Sequence, residues 1–440
     1  LGFGPEHAAA DWEQYRDPFT GKTGYNLRTY CLWIRGRQAH QESSCKMIAL
    51  GSYFLDLVAA LLAVPTLVFF SEVMASSFLP NRNILRGGPR KPIAVLIPAH
   101  NESTGLKPTL DDIRTQLYPG DRLVVVADNC TDDTAAVAAS SNAEVTVRAE
   151  PTKIGKGYAL DWGLNYLSAN PPEIVIIIDA DCRVGFGTID TLAGACARSC
   201  RPVQSLYLMS AAAGSAINHQ VAEFAWRLKN WIRPLGLSAL TLPCQLMGTG
   251  MAFPWNVIRS AELSSGFIVE DLKLGLELAL AGHPPLFCHT AIVTSTFPNS
   301  LAGAKTQRQR WEHGHIALVL TKAPALFYAA ILHRDWNLLS LVLDLLVPPL
   351  ALFGLILTAM VLVAALAVLS GMSAVPLILS MACLFLVIAT TISAWVKSGR
   401  DILPATSLAL VPSYFVSKMR SYATALFNGK VTRWIRADRT

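Results

Sequence analysis

Two hydrophobic rhythms alternate along this chain. One is the long, nearly unbroken apolar run, found at residues 47–71, 338–369 and 374–396. A helix of about 20 apolar residues, rising roughly 1.5 Å per residue, covers the hydrocarbon thickness of a bilayer. The other rhythm is a short aliphatic run followed by a helix-period segment, repeated between residues 92 and 185. The short runs predict strands at 93–97, 123–127, 144–147 and 174–178, and the segments around them predict helices at 107–117, 132–139 and 156–167. This βαβαβ order predicts an α/β domain on a mostly parallel sheet with right-handed crossovers. Ile174 to Ile178 has no polar face, which predicts a central parallel strand buried on both sides. From 186 to 315 helices mix with glycine-rich polar turns. No internal repeat and no low-complexity tract is found.

The apolar runs organise the rest. Residues 47–72 predict a transmembrane helix, blemished by Asp56 and Pro65. Its length, and the lack of positive charge directly before it apart from Lys46, favour a retained anchor over a cleaved signal peptide. Residues 1–46 are polar, aromatic and aperiodic; they read as an irregular N-terminal extension with no chemistry assigned. Arg82, Arg86, Arg90 and Lys91 follow the span and predict a cytoplasmic domain next. The 338–369 run exceeds one straight span and holds Pro348 and Pro349, so it is expected to enter the membrane, break and then cross. The short uncharged loop 370–373 makes 336–397 a transmembrane hairpin, with His333, Arg334, Lys397 and Arg400 on the cytoplasmic side. Residues 316–335 read as an interfacial helix, and 398–440 as a basic interfacial or re-entrant segment.

Composition adds to this picture. Of 440 residues 52% are hydrophobic and 15% charged, against about 25% charged in an ordinary soluble domain. The mean hydropathy is +0.38. The net charge is +6. Residues 397–440 carry eight Lys/Arg against two Asp, so the excess lies in the tail. That placement suits anionic membrane lipids and gives no reason to expect nucleic acid as a partner. The nine cysteines are odd in number, widely spaced and without a C-x-x-C, which argues for a reducing compartment and against a disulfide scaffold or structural zinc. The i, i+4 pair Cys196 and Cys200 is read as coincidence.

Ligands of open α/β sheets sit beyond the carboxyl ends of the strands, and polar residues gather there. The first strand runs into Pro98-Ala99-His100-Asn101-Glu102, where Pro98 and Asn101 turn the chain and leave amides to face a base. The second ends in Asp128, with Asp132 and Asp133 placed to start a helix. Gly155-Lys156-Gly157 opens another helix, a setting that suits phosphate or carboxylate. The fourth ends in Asp179-Ala180-Asp181, whose carboxylates share one side and suit a hard cation, Mg²⁺ or Mn²⁺, held against a diphosphate. No G-x-G-x-x-G follows the first strand, which weakens a dinucleotide reading. Each feature alone also fits a plainer role: solvated strand-end acids, an acidic helix start at Glu270-Asp271, or a packed cation–π pair at Arg310-Trp311. His313 and His315 straddle Gly314 and are read as a cap beside the site rather than as metal ligands.

Taken in order, IPAHNE, the strand-end Asp128, GKGYAL, IDAD, GTGMAFP (248–254), VEDLKLG (269–275) and QRQRW (307–311) resemble one family. It is the membrane-integrated branch of glycosyltransferase family 2, which includes cellulose, hyaluronan and chitooligosaccharide synthases and exopolysaccharide glycosyltransferases. The resemblance covers residues 92–315, and Q-x-x-R-W is its most specific part. It implies a GT-A fold, a Rossmann-like nucleotide-sugar domain, here over 91–315. By resemblance Pro98, Ala99, Glu102 and Asp128 line the nucleobase and ribose pocket, and Lys156 supports it. Asp179 and Asp181 are the D-x-D acids, with Asp181 the direct metal ligand. Asp271 matches the aspartate of the T-E-D motif, the general base; Glu270 precedes it, and Val269 replaces the motif's threonine and removes its hydroxyl. Gln307, Arg310 and Trp311 match Q-x-x-R-W, with Arg310 toward the diphosphate and Trp311 stacked on the acceptor sugar.

The expected function is an inverting, metal-dependent membrane glycosyltransferase. It takes a nucleotide-diphosphate sugar, expected to be a UDP-sugar, and serves a lipid-linked or growing glycan acceptor in exopolysaccharide or cell-envelope synthesis at the inner or plasma membrane. Such transfer needs a base for the acceptor hydroxyl and positive charge for the departing diphosphate. Two versions stay open. Q-x-x-R-W favours a processive synthase that translocates its polymer. One span before the domain and about two after it favour single or limited addition, unless a homo-oligomer supplies more membrane structure. A membrane transporter with a nucleotide-sensing domain predicts ionisable residues within spans, where only Asp56 and Asp344 are found near span starts. A tethered nucleotidyltransferase needs no Q-x-x-R-W.

Overall fold

The computed structural model describes residues 15–16, 23–24, 27–79, 90–211, 217–264, 269–297, 301–410, 414 and 419. Arg82, Arg86 and nearly all of the segment after 410 lie outside the described residues. The chain divides into two compact units.

The first unit comprises residues 1–61 and 360–380. Strands β1 (Tyr15–Arg16) and β2 (Thr23–Gly24) pair antiparallel, and helix α1 (Leu27–Phe78) begins here. The extension expected to be irregular up to residue 46 is therefore helical from Leu27. A segment rich in Leu, Arg, Gln and Glu needs no apolar period of its own when it continues a membrane-length helix. The Ser373 amide donates to Ser52 Oγ at 3.2 Å, tying the 370–374 turn to α1.

The second unit comprises residues 62–359 and 381–440. Its centre is an eight-stranded sheet built from β3 (Ile93–Ala99), β4 (Arg122–Asp128), β5 (Glu144–Arg148), β6 (Ile174–Ile177), β7 (Arg183–Val184), β8 (Val203–Ser210), β9 (Met251–Pro254) and β10 (Leu286–Thr296). The strand order is β5-β4-β3-β6-β9-β8-β10-β7. The β5-β4-β3-β6 half is parallel throughout, as the βαβαβ pattern predicts. β9 enters antiparallel between β6 and β8, and β10 runs parallel to β8. β6 is thus central and fully buried but parallel on one side only, which corrects the all-parallel expectation for that strand. Nothing in an aliphatic run records the direction of a neighbour 75 residues later in the chain.

Alternation along the strands feeds two apolar layers. Val95, Ile97, Val125 and Ile176 face Leu110 and Ile113 of α2 (Leu106–Arg114) and Ile189 and Leu192 of α5 (Thr188–Ser199). Leu96, Val124, Val126, Val175 and Ile177 face Leu160 and Leu164 of α4 (Lys156–Leu167) and Leu274 and Leu278 of α9 (Glu270–Leu280). Helix α3 (Thr134–Ser140) closes the β4-to-β5 crossover. α2 stops at Arg114 and α3 starts at Thr134, each shorter than its pattern predicts. The residues trimmed from them form turns: the Leu117 amide bonds Arg114 O, and Asp132 Oδ1 accepts the Thr134 amide at 3.0 Å.

The sheet sets one steric requirement at the site. Gly250 has φ +67°, and a Cβ there would lie 1.8 Å from Ser205 Oγ. Its amide donates to Ile177 O, and its carbonyl accepts from the Ser205 amide. Gly250→Ala is therefore expected to destabilise the protein by roughly 2–4 kcal/mol, from left-handed backbone cost plus overpacking. Denaturant or thermal unfolding in detergent reads this directly.

Helices α6 (Ile217–Arg227) and α7 (Arg233–Ala239) are joined through a π turn, Leu228–Ile232. After α8 (Trp255–Arg259) and α9 comes α10 (Leu301–Thr321), which bends by 47° into α11 (Ala323–Leu332). α12 (Trp336–Leu345) is capped by Asp335, which accepts from the Asn337 and Leu338 amides. The 338–369 run does break at its prolines, but its first half does not stand alone. Leu338, Leu341 and Leu345 pack on Val269, Leu272 and Leu276 beside α9. Among the described residues three helices are long and apolar enough to cross a membrane: residues 46–78 of α1, α13 (Leu350–Leu369) and α14 (Val375–Ser398). Because α1 runs on to Phe78, its span includes Glu72, an acid that the expected list of span residues lacks. Arg233 of α7 pairs with both Glu72 and Asp344, and all three are buried.

Candidate active site

The nucleotide side begins where β3 and β4 end. Asn101 adopts φ +55°, which releases the chain from β3. His100 Nδ1 meets the Asp128 carbonyl at 2.7 Å. Asp128 is buried at the end of β4; Arg148 bonds its Oδ1 at 2.5 Å and Asn129 Nδ2 donates to the same oxygen. Burial outweighs Arg148 and leaves the Asp128 carboxyl above its usual range. Asp132 turns away from the site and clamps the loop, accepting from the Ser103 and Thr134 amides. Burial raises its carboxyl, but the several bonds from Thr134 and Ser103 together outweigh that and hold it down to about 2.

The D-x-D strand end is fastened by the GTGMAFP segment. Asp179 donates its amide to Thr249 Oγ1 at 2.9 Å, while Lys156 Nζ donates to Gly248 O at 2.6 Å and pairs with Asp179. Lys156 thus reaches from the start of α4 to the D-x-D acids. Burial opposes its charge, but Asp179, Glu270 and Asp271 together raise its pKa. Asp179, Asp181 and Cys182 offer ligand atoms within 4.8 Å of one another. Burial pushes the Cys182 thiol up to about 12, so the sulfur stays protonated. Two carboxylates remain, a hard oxygen set that fits Mg²⁺ or Mn²⁺.

The opposite wall comes from α9 and α10. Glu270 and Asp271 form the first turn of α9, where its N-terminal amides favour anions. The acidic helix start and the functional reading are thus one structure. Asp271 Oδ2 lies 3.4 Å, and Lys156 Nζ 3.9 Å, from the point a Cβ on Gly248 would occupy. Burial raises the pKa of both acids, and the charge of Asp271 helps push Glu270 up to about 7. Val269, where the related motif has threonine, is buried and packs on Gly314 of α10: a Cβ at Gly314 would sit 2.7 Å from Val269 Cγ1. The position serves helix packing here. His313 and His315 both lie within α10.

Gln307, Arg310 and Trp311 project from α10 into the same space. Trp311 packs on Trp226 of α6 with ring centroids 4.9 Å apart, and Trp226 Nε1 donates to Tyr207 O at 3.1 Å. One cavity of about 280 Å³ is lined by Pro98, Ala99, Glu102, Asp128, Lys156, Asp179 and Asp181 on one side and by Glu270, Asp271, Gln307, Arg310 and Trp311 on the other. All the site residues named from the sequence therefore meet. His315, read from the sequence as lying beside the site, also lines the cavity, as do Trp226, Lys229 and Arg233, which the sequence reading does not name. The spacing of Trp226, Lys229 and Arg233, at i, i+3 and i+7, is the helical-face signal that could have marked them.

The chain is 26% identical over 244 residues to the probable glycosyltransferase YdaM of Bacillus subtilis (strain 168), covering 52% of this chain and 56% of that one. It is 39% identical over 100 residues to an uncharacterized glycosyltransferase of Mycobacterium tuberculosis (strain ATCC 25618 / H37Rv), covering 23% and 41%. It thus spans about half the length of the curated relatives it matches. Among solved structures it is similar to a mannosyltransferase from Pyrobaculum calidifontis in complex with GDP-Man and Mn²⁺, with 19% identity, 79% of this chain and 99% of that chain covered, and a TM-score of 0.44. It is also similar to glucosyl-3-phosphoglycerate synthase from Mycobacterium tuberculosis in complex with Mn²⁺ and UDP-Glc, with 22% identity, coverages of 52% and 78%, and a TM-score of 0.36. Residues 89–314, just over half of the chain, match the model of Glycosyltransferase like family 2, and the chain belongs to that family.

Proposed function

We propose that this glycosyltransferase is an inverting, metal-dependent membrane enzyme that moves a sugar from a UDP-sugar to a lipid-linked glycan acceptor in exopolysaccharide or cell-envelope synthesis. The observation that carries the reading is the single cavity in which the D-x-D acids, Asp271 and Trp311 meet. Asp271 takes the proton of the acceptor hydroxyl as that oxygen attacks the anomeric carbon. Its separation from the D-x-D pair by Lys156 lets one carboxylate remain a base while the others serve the diphosphate side. Asp181, with Asp179, would hold Mg²⁺ or Mn²⁺, which supplies positive charge for the leaving diphosphate. Arg310 adds a cation on that side, Gln307 lines the cavity from the same helix, and Trp311 offers a flat apolar face to the acceptor sugar. Pro98, Ala99, Glu102 and Asp128 form the nucleobase end. The three membrane-length helices anchor the chain with its catalytic domain on the cytoplasmic side.

The test is nucleotide release by the purified full chain, screened over UDP- and GDP-sugars with Mn²⁺, with Mg²⁺ and with a chelator. Release with one UDP-sugar and loss of about 10²-fold or more on chelation, or in Asp181→Asn, is the expected result. Turnover indifferent to chelation overturns the metal assignment, and release with GDP-sugars alone overturns the donor assignment.

A further inference from the structure

Behind the Trp226–Trp311 pair lies a second, larger cavity of about 710 Å³. Its walls are mostly apolar and are shared between α6, with Val221 and Phe224, and the membrane-length helices, with Phe69 of α1, Phe353 of α13 and Leu384 and Ile388 of α14. Trp226, Lys229, Arg233, Trp311 and His315 line both cavities, so the catalytic space and the apolar space share one wall.

Lys229 is the informative residue on that wall. It sits in the π turn between α6 and α7, a local widening that recurs at functional sites. Its side chain is exposed to both cavities and, among the described residues, makes no hydrogen bond or ion pair. Arg233, by contrast, is committed to Glu72 and Asp344. The charges that act on Lys229 are Asp271 from α9 and Asp344 from α12, which favour its protonation, and Arg233 one turn on, which opposes it. Burial lowers its pKa, a cost that an anion placed on it relieves. The shared wall thus carries an aromatic pair and a cation between the catalytic cavity and an apolar chamber. A growing polysaccharide would leave its hydroxyls without partners in that chamber.

We propose that the acceptor is a saccharide joined through phosphate to a hydrocarbon chain, with the chain in the apolar cavity, the phosphate on Lys229 and the sugar hydroxyl over Asp271. This rests on the transferase reading above. In the transfer step the acceptor oxygen bonds the anomeric carbon, its proton passes to the Asp271 carboxylate, and the bond from that carbon to the diphosphate breaks with its electron pair leaving on the nucleotide. Lys229 is a positioning and specificity residue, and an apolar chamber in place of a polar channel favours single or limited addition.

The probes are hexadecyl phosphate, hexadecanol and inorganic phosphate, titrated onto the full chain in detergent, with UDP and Mn²⁺ titrated in parallel. Hexadecyl phosphate is expected to bind at least about tenfold tighter than hexadecanol, the scale of one charge-assisted contact. Lys229→Gln is expected to erase that preference and Lys229→Arg to keep it. Ala225→Phe, which fills the chamber from α6, is expected to weaken both alkyl probes and spare UDP. Equal binding of the two alkyl probes identifies the chamber as a seat for bulk bilayer lipid and overturns the proposal, as does a preference that survives Lys229→Gln. Inorganic phosphate binding as tightly as hexadecyl phosphate overturns the role of the chain. A chain that binds neither UDP nor GDP with Mn²⁺ overturns the nucleotide-sugar reading of the site, whereas normal nucleotide binding without a phosphate preference refutes the acceptor assignment alone.

Discussion

Asp271→Asn is expected to lower kcat by about 10²–10⁴-fold, the usual contribution of a positioned general base. The substitution keeps the shape of the first turn of α9 and removes only the proton acceptor. UDP binding, which depends on the β3, β4 and β6 strand ends, is expected to persist, so calorimetry with UDP and Mn²⁺ separates lost chemistry from lost binding. The same residue sets the pH response. Burial raises the Asp271 pKa, and its neighbour Glu270 is pushed up to about 7. A base works only when deprotonated, so activity is lost as pH falls through the raised value. The acid limb is therefore expected above the ordinary carboxylate value of about 4, with apparent values that belong to the pair. Glu270→Gln removes the second titrating carboxyl and is expected to reduce the acid limb to a single ionisation, that of Asp271. Full turnover in Asp271→Asn, or an acid limb at ordinary carboxylate pH, assigns the proton to another group.

The second large effect is structural. Arg233 donates Nε to Glu72 at 2.6 Å and Nη2 to the Asp344 carbonyl at 2.9 Å, and it also pairs with the Asp344 carboxylate. The triad joins the first membrane-length helix to α7 and α12 at the edge of the active-site cavity. Arg233→Ala leaves two buried carboxylates without their cation and is expected to cost about 3–5 kcal/mol. Thermal unfolding in detergent measures it. The triple change Arg233→Met, Glu72→Gln, Asp344→Leu removes every charge at once and is expected to recover most of that loss, because a buried ion pair often gives little net stability over apolar packing. An unchanged Tm in Arg233→Ala would show that the triad adds nothing to the fold. The pairing also bears on the transporter alternative: Asp344 and Glu72 are both paired with Arg233.

The strands and the side chains that meet in the candidate site were legible in the sequence because each depends on nearest neighbours. A β-branched run such as Ile174–Ile177 forms a buried strand wherever it lies, and an acid directly after it sits at the carboxyl edge of the sheet. The order of the motifs then carried the family. Four features depended on contacts that no local pattern records. The antiparallel entry of β9 brings Thr249 to the Asp179 amide. Lys156, at a helix start, turned out to be held between Asp179 and Gly248 across more than 90 residues of chain. Val269 lost a hydroxyl that the related motif has and gained Gly314 as a packing partner. Trp226, Lys229 and Arg233 sit on a helix whose face acquires meaning only when α10 and the membrane-length helices close around it. The sequence by itself determined which residues could do chemistry and which segments suit lipid, since residue type and short-range periodicity settle both. The tertiary structure alone decided which charges are neutralised and which are left facing a cavity, because pairing and burial are properties of the assembled chain.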